Sequence, residues 1–237
     1  MKRPKTAAER KERIADILLT LNRMYPDATC ALIHNSPWEL LVATILSAQC
    51  TDKRVNMVTP ALFARYPTAQ AYAKASPEEL ESMIKTCGLY RSKAKNIIAA
   101  AKALVQDHGG LVPVSRAQLE ALPGVGRKTA GVVTIHLGGD AAFPVDTHIR
   151  RLARRLGFTK QTDPDKVELE LMELLPAADW AKAHQLLIWH GRRTCFARSP
   201  ACERCVVAKL CPKIGVPKAT RRPAPRLVRP STASSAS

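Results

Sequence analysis

Ser115–His148 reads SRAQLEALPGVGRKTAGVVTIHLGGDAAFPVDTH, and this stretch decides the fold. At its centre stands Leu122-Pro123-Gly124-Val125-Gly126-Arg127-Lys128-Thr129-Ala130. Ser115 followed by Gln118 has the form of a capping box and predicts the start of a short helix. Pro123 and Gly124 end that helix, because proline lacks an amide donor and glycine accepts a positive φ. Gly126 opens a second helix, expected to continue through Val132–Leu137 despite the β-branched residues there. The product is helix, tight Gly-x-Gly hairpin, helix. Backbone N–H groups at Gly124, Val125 and Gly126, at a helix N-terminus, are suited to hold a phosphate. Side chains at the two glycines would keep a sugar-phosphate backbone away. Taken alone, a Pro-Gly-x-Gly turn is often only a turn, and Lys128 only a solvated lysine.

The composition narrows the partner. The 237 residues suit one large domain or two modest ones, and 46% hydrophobic content is ample for a core. A net charge of +17 favours a polyanion, nucleic acid before an anionic membrane. Five of the positive charges, Lys218, Arg221, Arg222, Arg226 and Arg229, lie in a tail after Val216 that has no acids, so the remainder is basic as well. This tail, rich in Pro, Ser, Ala and Arg, is expected to be a disordered basic extension. No apolar run reaches the length of a membrane span, and the N-terminus lacks the apolar centre of a secretory signal. A cytoplasmic, nucleoid-associated monomer is expected.

Apart from the hairpin, the chain reads as nearly all helix. Thr6-x-x-Glu9 is a capping box for a helix that Pro26 stops. Ser36-Pro37-Trp38-Glu39 starts a second, whose continuation LLVATILSAQ is apolar nearly all round and predicts full burial. Further helices are expected over Arg54–Arg65, from Ser76-Pro77 to Gly88, and from Arg91 to about Gln106. After the hairpin follow helices over Thr147–Leu156, from Asp163-Pro164 to Leu175, and over Trp180–His190. No paired alternating runs suggest a sheet.

Cysteine usage supplies the second motif. Cys195, Cys202, Cys205 and Cys211 are spaced Cys-x6-Cys-x2-Cys-x5-Cys. Four thiolates within so short a segment can wrap one soft metal centre, either zinc or a [4Fe–4S] cluster. Cys30, Cys50 and Cys87 stand singly, as small apolar residues of a reducing interior. Arg198, in the loop between the first two clustered cysteines, is placed to meet a phosphate.

The string from Leu122 to Ala130, followed by Pro144-Val145-Asp146-Thr147-His148, closely resembles the hairpin and following loop of the endonuclease III family of DNA glycosylases. Ile45-Leu46-Ser47-Ala48-Gln49-Cys50-Thr51-Asp52 and Gly88-Leu89-Tyr90-Arg91-Ser92-Lys93-Ala94 resemble two further segments of that family, as does the spacing of the four cysteines. The likeness spans about residues 10–215. It implies an all-α, two-lobed helix-hairpin-helix DNA glycosylase fold. One lobe would be a six-helix barrel over 29–139, with the hairpin element at about 115–135. The other would be a helical lobe built from 1–28 and 140–215 that ends in a [4Fe–4S] cluster on Cys195, Cys202, Cys205 and Cys211. The tail would cover 216–237.

The resemblance also implies an activity: removal of oxidised pyrimidines from double-stranded DNA and cleavage at abasic sites. Lys128 would be the nucleophile and Asp146 its partner. Gln49 would enter the gap left by an extruded nucleotide, and Leu89 would wedge into the base stack. A lysine amine has an ordinary pKa of about 10.4, so roughly one in 2,500 is unprotonated at neutral pH, and such chemistry needs a proton acceptor at hand. Arg127 is expected to set a second positive charge beside the amine. Asp146 is equally suited to cap the helix that begins at Thr147. Two other readings remain. One is an adenine-DNA glycosylase, which shares hairpin and cysteines but lacks the lysine. The other is a noncatalytic DNA-binding module with a structural metal.

Overall fold

The computed structural model describes residues 3–140 and 142–216; the expectation for the basic tail lies outside the described residues, from residue 217 onward. Among the described residues there is no strand, and no helix is long and apolar enough to cross a membrane.

Helix starts follow local capping chemistry. α1 (Ala7–Met24) begins with the full Thr6–Glu9 capping box, and its backbone turns out of the helix at Tyr25, just before Pro26. α2 (Pro37–Ser47) is capped by the Ser36 hydroxyl, which accepts from the Glu39 amide. α3 (Asp52–Arg65) and α4 (Ala69–Ala73) start at Thr51 and Thr68 in the same way. α5 (Pro77–Ile84) starts at Ser76 and passes into a 3-10 turn over Lys85–Cys87 before Gly88. α6 (Tyr90–His108) ends at Gly109 with φ 61°. Then come α7 (Arg116–Glu120) and α8 (Arg127–Leu137), the two arms of the hairpin. The β-branched run Val132–Val133 lies inside α8. α9 (Thr147–Arg155), α10 (Pro164–Leu174) and α11 (Trp180–Arg193) complete the set.

One expected cap is absent. Ser115 makes no side-chain cap to α7. The Arg116 amide instead donates to Asp140 Oδ2 at 2.8 Å, and the Asp140 amide donates to the Val114 carbonyl. A carboxylate from beyond the hairpin supplies what the serine does not. The short α4 was also not foreseen, since five residues are too few to show a helical period.

The buried side chains form two hydrophobic clusters. The first gathers α2 to α8, with Leu40, Leu41, Val42 and Leu46 of α2 wholly enclosed. Full burial of such a side chain is worth roughly 1.5–3 kcal/mol, so α2 is the main stabilising rod of this half. Leu122 and Val125 of the hairpin are buried in the same cluster. The hairpin is therefore pinned by its two apolar residues while Gly124 and Gly126 stay exposed. The second cluster joins α1 to α9, α10 and α11, with Phe143, Phe158 and Val207.

Carboxylates of α10 tie the hairpin to the second cluster. Glu168, on α10 and 4% exposed, accepts from Arg116 Nη1 and Arg127 Nη2, both at 2.9 Å, and from the Phe143 amide. Burial pushes its carboxyl up, but Arg127 and Arg116 outweigh burial and hold it below the usual range. Arg127 also pairs with Asp165 at 2.9 Å. The charge expected beside Lys128 is thus already balanced by two carboxylates.

Candidate functional site

Lys128 sits in the first turn of α8 and is exposed, while Asp146 is the N-cap of α9 and half-buried. Both line one cleft of about 300 Å³, together with Gln49, Cys30, Cys50, His136, His184 and Gln185. That size falls within the range of small-molecule sites. A larger groove between α1, α10 and α11, about 750 Å³, contains none of the residues singled out by the motifs.

The turn chemistry that presents Lys128 is specific. Gly124 has φ 78°, and a Cβ there would meet the Asn96 side chain at 2.6 Å, so both conformation and space demand glycine. The Val125 amide donates to the Leu122 carbonyl, which closes the hairpin and leaves Val125 to contribute mainly its buried side chain. Gly126 caps α8 with extended backbone and no side chain. The first amides of α8 are therefore open to an anion.

Asp146 does two things. Its Oδ1 accepts the Ile149 amide at 2.8 Å, and the carboxylate lines the cleft. Beneath it lies His184, 3% exposed, whose Nε2 donates to the Pro144 carbonyl at 3.1 Å. Burial pushes this imidazole down to about 4, against the opposing pull of Asp146. α9 and α11 approach closely here because Gly191 has no side chain: a Cβ would meet His148 Cβ at 3.0 Å. Arg192 of α11 pairs with Asp52 of α3 at 2.6 Å, an ion pair on the cleft lining.

Gln49 and Leu89 occupy strained positions. Among the described residues only Gln49, Leu89 and Lys213 are non-glycine residues with positive φ, at 53°, 48° and 55°. Left-handed backbone costs roughly 1–2 kcal/mol for a residue with a Cβ. Such strain concentrates at functional sites. Leu89 is 60% exposed, not part of the core. It lies outside the cleft lining, whereas Gln49 is on it. Both turns hang from one buried cation that the sequence did not reveal. Lys93, 5% exposed, donates from Nζ to the Leu46 and Cys87 carbonyls, each at 2.8 Å. Burial lowers its pKa, and the Cys50 and Cys87 thiols oppose that.

Cys195, Cys202, Cys205 and Cys211 line a separate cavity whose other walls include Leu156, Pro200, Val207 and Ala208. None of the four is in a disulfide. Among the described residues no three His, Cys, Asp or Glu side chains are gathered tightly enough for a single ion. The four cysteines border one cavity, and four thiolates are the ligand set of an iron–sulfur cluster. Arg155 Nη1 donates to Cys195 Sγ at 3.4 Å and the Lys213 amide to Cys211 Sγ at 3.3 Å; His190 Nε2 lies 3.6 Å from Cys205 Sγ, and Cys211 Sγ also lies 3.4 Å from the Arg155 carbonyl. Anionic sulfur suits the two donated contacts. The donor set therefore fits an iron–sulfur cluster.

The loop between Cys195 and Cys202 is held by arginines. Arg155, 5% exposed, donates to the Phe196 and Ala197 carbonyls at 2.6 and 2.7 Å, and Arg151 donates to the Cys195 and Gly191 carbonyls. Arg198, at the loop's outer side, is exposed.

The two-core helical fold, the pinned hairpin and the cleft define a helix-hairpin-helix DNA-repair protein. Comparisons with known proteins agree. Residues 42–177 match the family model of the HhH-GPD superfamily base excision DNA repair protein, and residues 195–211 that of the iron-sulfur binding domain of endonuclease III. The chain is 52% identical over 206 residues to the endonuclease III of Synechocystis, spanning 86% of this chain and 94% of that one. It is 44% identical over 201 residues to that of Escherichia coli, spanning 85% and 95%. A solved structure of a non-covalent endonuclease III–DNA complex matches with TM-score 0.80 and 45% identity, covering 86% of this chain and 95% of that one. A trapped endonuclease III–DNA covalent intermediate matches with the same TM-score and identity. The chain belongs to the endonuclease III family of base-excision DNA-repair enzymes, and its cofactor is a [4Fe–4S] cluster.

Proposed function

We propose that the protein is a bifunctional DNA glycosylase and abasic-site lyase that removes oxidised pyrimidines from double-stranded DNA in the cytoplasm. The observation that carries this reading is the placement of Lys128 and Asp146 on one cleft, at the starts of two helices from different parts of the chain. Residues 29–139 form the lobe that carries the hairpin, and residues 1–28 with 140–215 form the lobe that carries the cluster. DNA lies across the cleft, held by its phosphates at Gly124, Gly126 and Arg198, while Val125, whose amide is spent on the Leu122 carbonyl, holds the turn through its buried side chain. Gln49 fills the space of the flipped nucleotide and Leu89 wedges the stack.

Asp146, while ionised, stabilises the positive charge that develops on the sugar as the base departs, and then takes up the proton that the Lys128 amine releases on bonding to C1′. The free amine attacks C1′ and the C1′–base bond breaks, its electron pair leaving with the base. The first product keeps the sugar ring closed, with Lys128 Nζ bonded to C1′; the C1′–O4′ bond then breaks, O4′ takes up the proton held by Asp146, and the imine forms. The imine gives up a C2′ proton, the C3′–O3′ bond breaks, and the 3′ phosphate leaves with that electron pair by β-elimination. Cys195, Cys202, Cys205 and Cys211 hold the cluster, which pins the second lobe. Borohydride reduction on abasic duplex DNA is the test. It should give a covalent complex with the natural protein and none with Lys128→Gln. A complex that persists in Lys128→Gln would mean another amine is the nucleophile.

A further inference from the structure

The cleft is also lined by His136 of α8 and Gln185 of α11, neither of which takes part in the chemistry above. His136 Nδ1 lies 2.7 Å from the Val132 carbonyl oxygen. That oxygen only accepts, so Nδ1 carries the hydrogen. Burial pushes the His136 pKa below its ordinary value, opposed by the same carbonyl. The ring is therefore neutral and Nε2 is a bare acceptor. Gln185 Nε2 lies 2.9 Å from it. The amide must present its NH2 to His136, because its oxygen would face a lone pair.

The consequence falls on the other end of the amide. Gln185 is 8% exposed, and Oε1 meets no donor among the described residues. Nor is Oε1 one of the polar atoms sealed from solvent. His34 packs edge-on against His136 with ring centroids 6.4 Å apart, and its Nδ1 is tied to the Leu32 carbonyl at 2.8 Å, so the His136 ring is held in place. The chain from Val132 through His136 to Gln185 leaves one acceptor of fixed direction on the cleft wall.

We infer that Gln185 Oε1 reads the flipped base by accepting the imide N3–H of uracil- and thymine-derived lesions, and that His136 is the positioning residue that orients it. The inference rests on the proposed function, in that the base must enter this cleft. A cytosine-derived lesion presents a bare ring N3 at the same place, and two lone pairs then face each other. A desolvated acceptor left unmatched is what gives a site its discrimination. Undamaged thymine also carries N3–H, so the contact ranks lesions among themselves and leaves the recognition of damage to other features.

The test pairs two lesions that differ at this edge and share the oxidised C5: 5-hydroxyuracil and 5-hydroxycytosine in one duplex sequence. The measured quantity is the ratio of their kcat/KM values. Gln185→Leu should lower the ratio roughly three- to tenfold, the worth of one neutral hydrogen bond. His136→Phe should lower it in the same direction. In the double variant the ratio should fall no further than in Gln185→Leu, since His136 acts only through Gln185. Gln185→Met, of similar length, gives the same reading if the leucine variant does not fold. A ratio unmoved by the Gln185 variants overturns the inference. So does a His136→Phe effect that persists in full without Gln185. Borohydride trapping of the natural protein on abasic DNA, which has no base to read, tests Lys128 separately. Trapping without excision of either lesion would refute both the substrate class and this contact.

Discussion

Asp146 Oδ1 accepts the Ile149 amide proton at 2.8 Å, so the carboxylate proposed to serve Lys128 is at the same time the cap of α9. Structure and chemistry are separable here, because asparagine caps about as well as aspartate while alanine forfeits roughly 1 kcal/mol. Asp146→Asn should unfold at the same temperature as the natural protein, bind lesion DNA and lose most of its turnover. Asp146→Ala should lose the turnover and some stability. If Asp146→Asn turns over normally, the carboxylate is only a cap.

Leu89 and Gln49 hold left-handed backbone that glycine would adopt freely. Leu89→Gly and Gln49→Gly should therefore leave stability unchanged or raise it by up to about 1 kcal/mol, while lowering excision from duplex DNA. Excision of the same lesion from a single strand should fall less, since unstacking and an orphaned partner base arise only in the duplex. Paired thermal melts and assays on both substrates check this. Equal losses on duplex and single strand would remove these residues from base flipping.

Lys93 is the buried tether of both turns. Lys93→Met keeps the volume and leaves the Leu46 and Cys87 carbonyls without their donor. Loss of such a partner costs roughly 1–3 kcal/mol, visible as a lower urea midpoint. Because both strained turns loosen together, duplex activity should drop beyond what the remaining folded fraction explains. Activity that simply tracks the folded fraction would make Lys93 a stability residue alone.

Arg155 anchors the cysteine loop through two carbonyls and Cys195 Sγ. Arg155→Met should still yield brown protein, but its visible absorbance should bleach faster in air or chelator than that of the natural protein. Replacing one of the four cysteines by serine should instead give insoluble or colourless protein, because an incomplete ligand set leaves the second lobe unpinned. An Arg155→Met variant that bleaches at the natural rate would show that the loop is held by the cluster itself.

What was legible in the sequence was local. Thr6, Ser36, Ser76 and Asp163 each cap the helix they announce, since a cap needs only residues within one turn. The glycine hairpin and the all-round apolar α2 were legible for the same reason. Ser115 makes no cap, and the first amide of α7 is met instead by Asp140, across a fold that no window of sequence contains. Nothing in the local sequence of Lys93 or Arg155 points to the carbonyls they meet, which only tertiary structure shows. His136 and Gln185 lie 49 residues apart and had no pattern to join them. Leu89 could be carried over only by resemblance; by hydrophobicity alone it belonged in the core, and its 60% exposure reverses that.

His184 supplies the last prediction, on acid stability. Burial holds its folded pKa at about 4, below an ordinary histidine value of about 6.5. Between those values the unfolded chain binds a proton that the folded protein refuses. Stability is therefore greatest above pH 6.5 and falls as pH drops toward 4, by about 3 kcal/mol at most from this residue, and the decline from it ends below pH 4. His184→Gln keeps a donor for the Pro144 carbonyl but does not titrate. Its urea midpoint should change less between pH 7 and pH 5 than that of the natural protein. Some slope should remain, because His136 is also held down by burial. Identical slopes in the two proteins would mean that His184 is charged, or solvated, in the folded state.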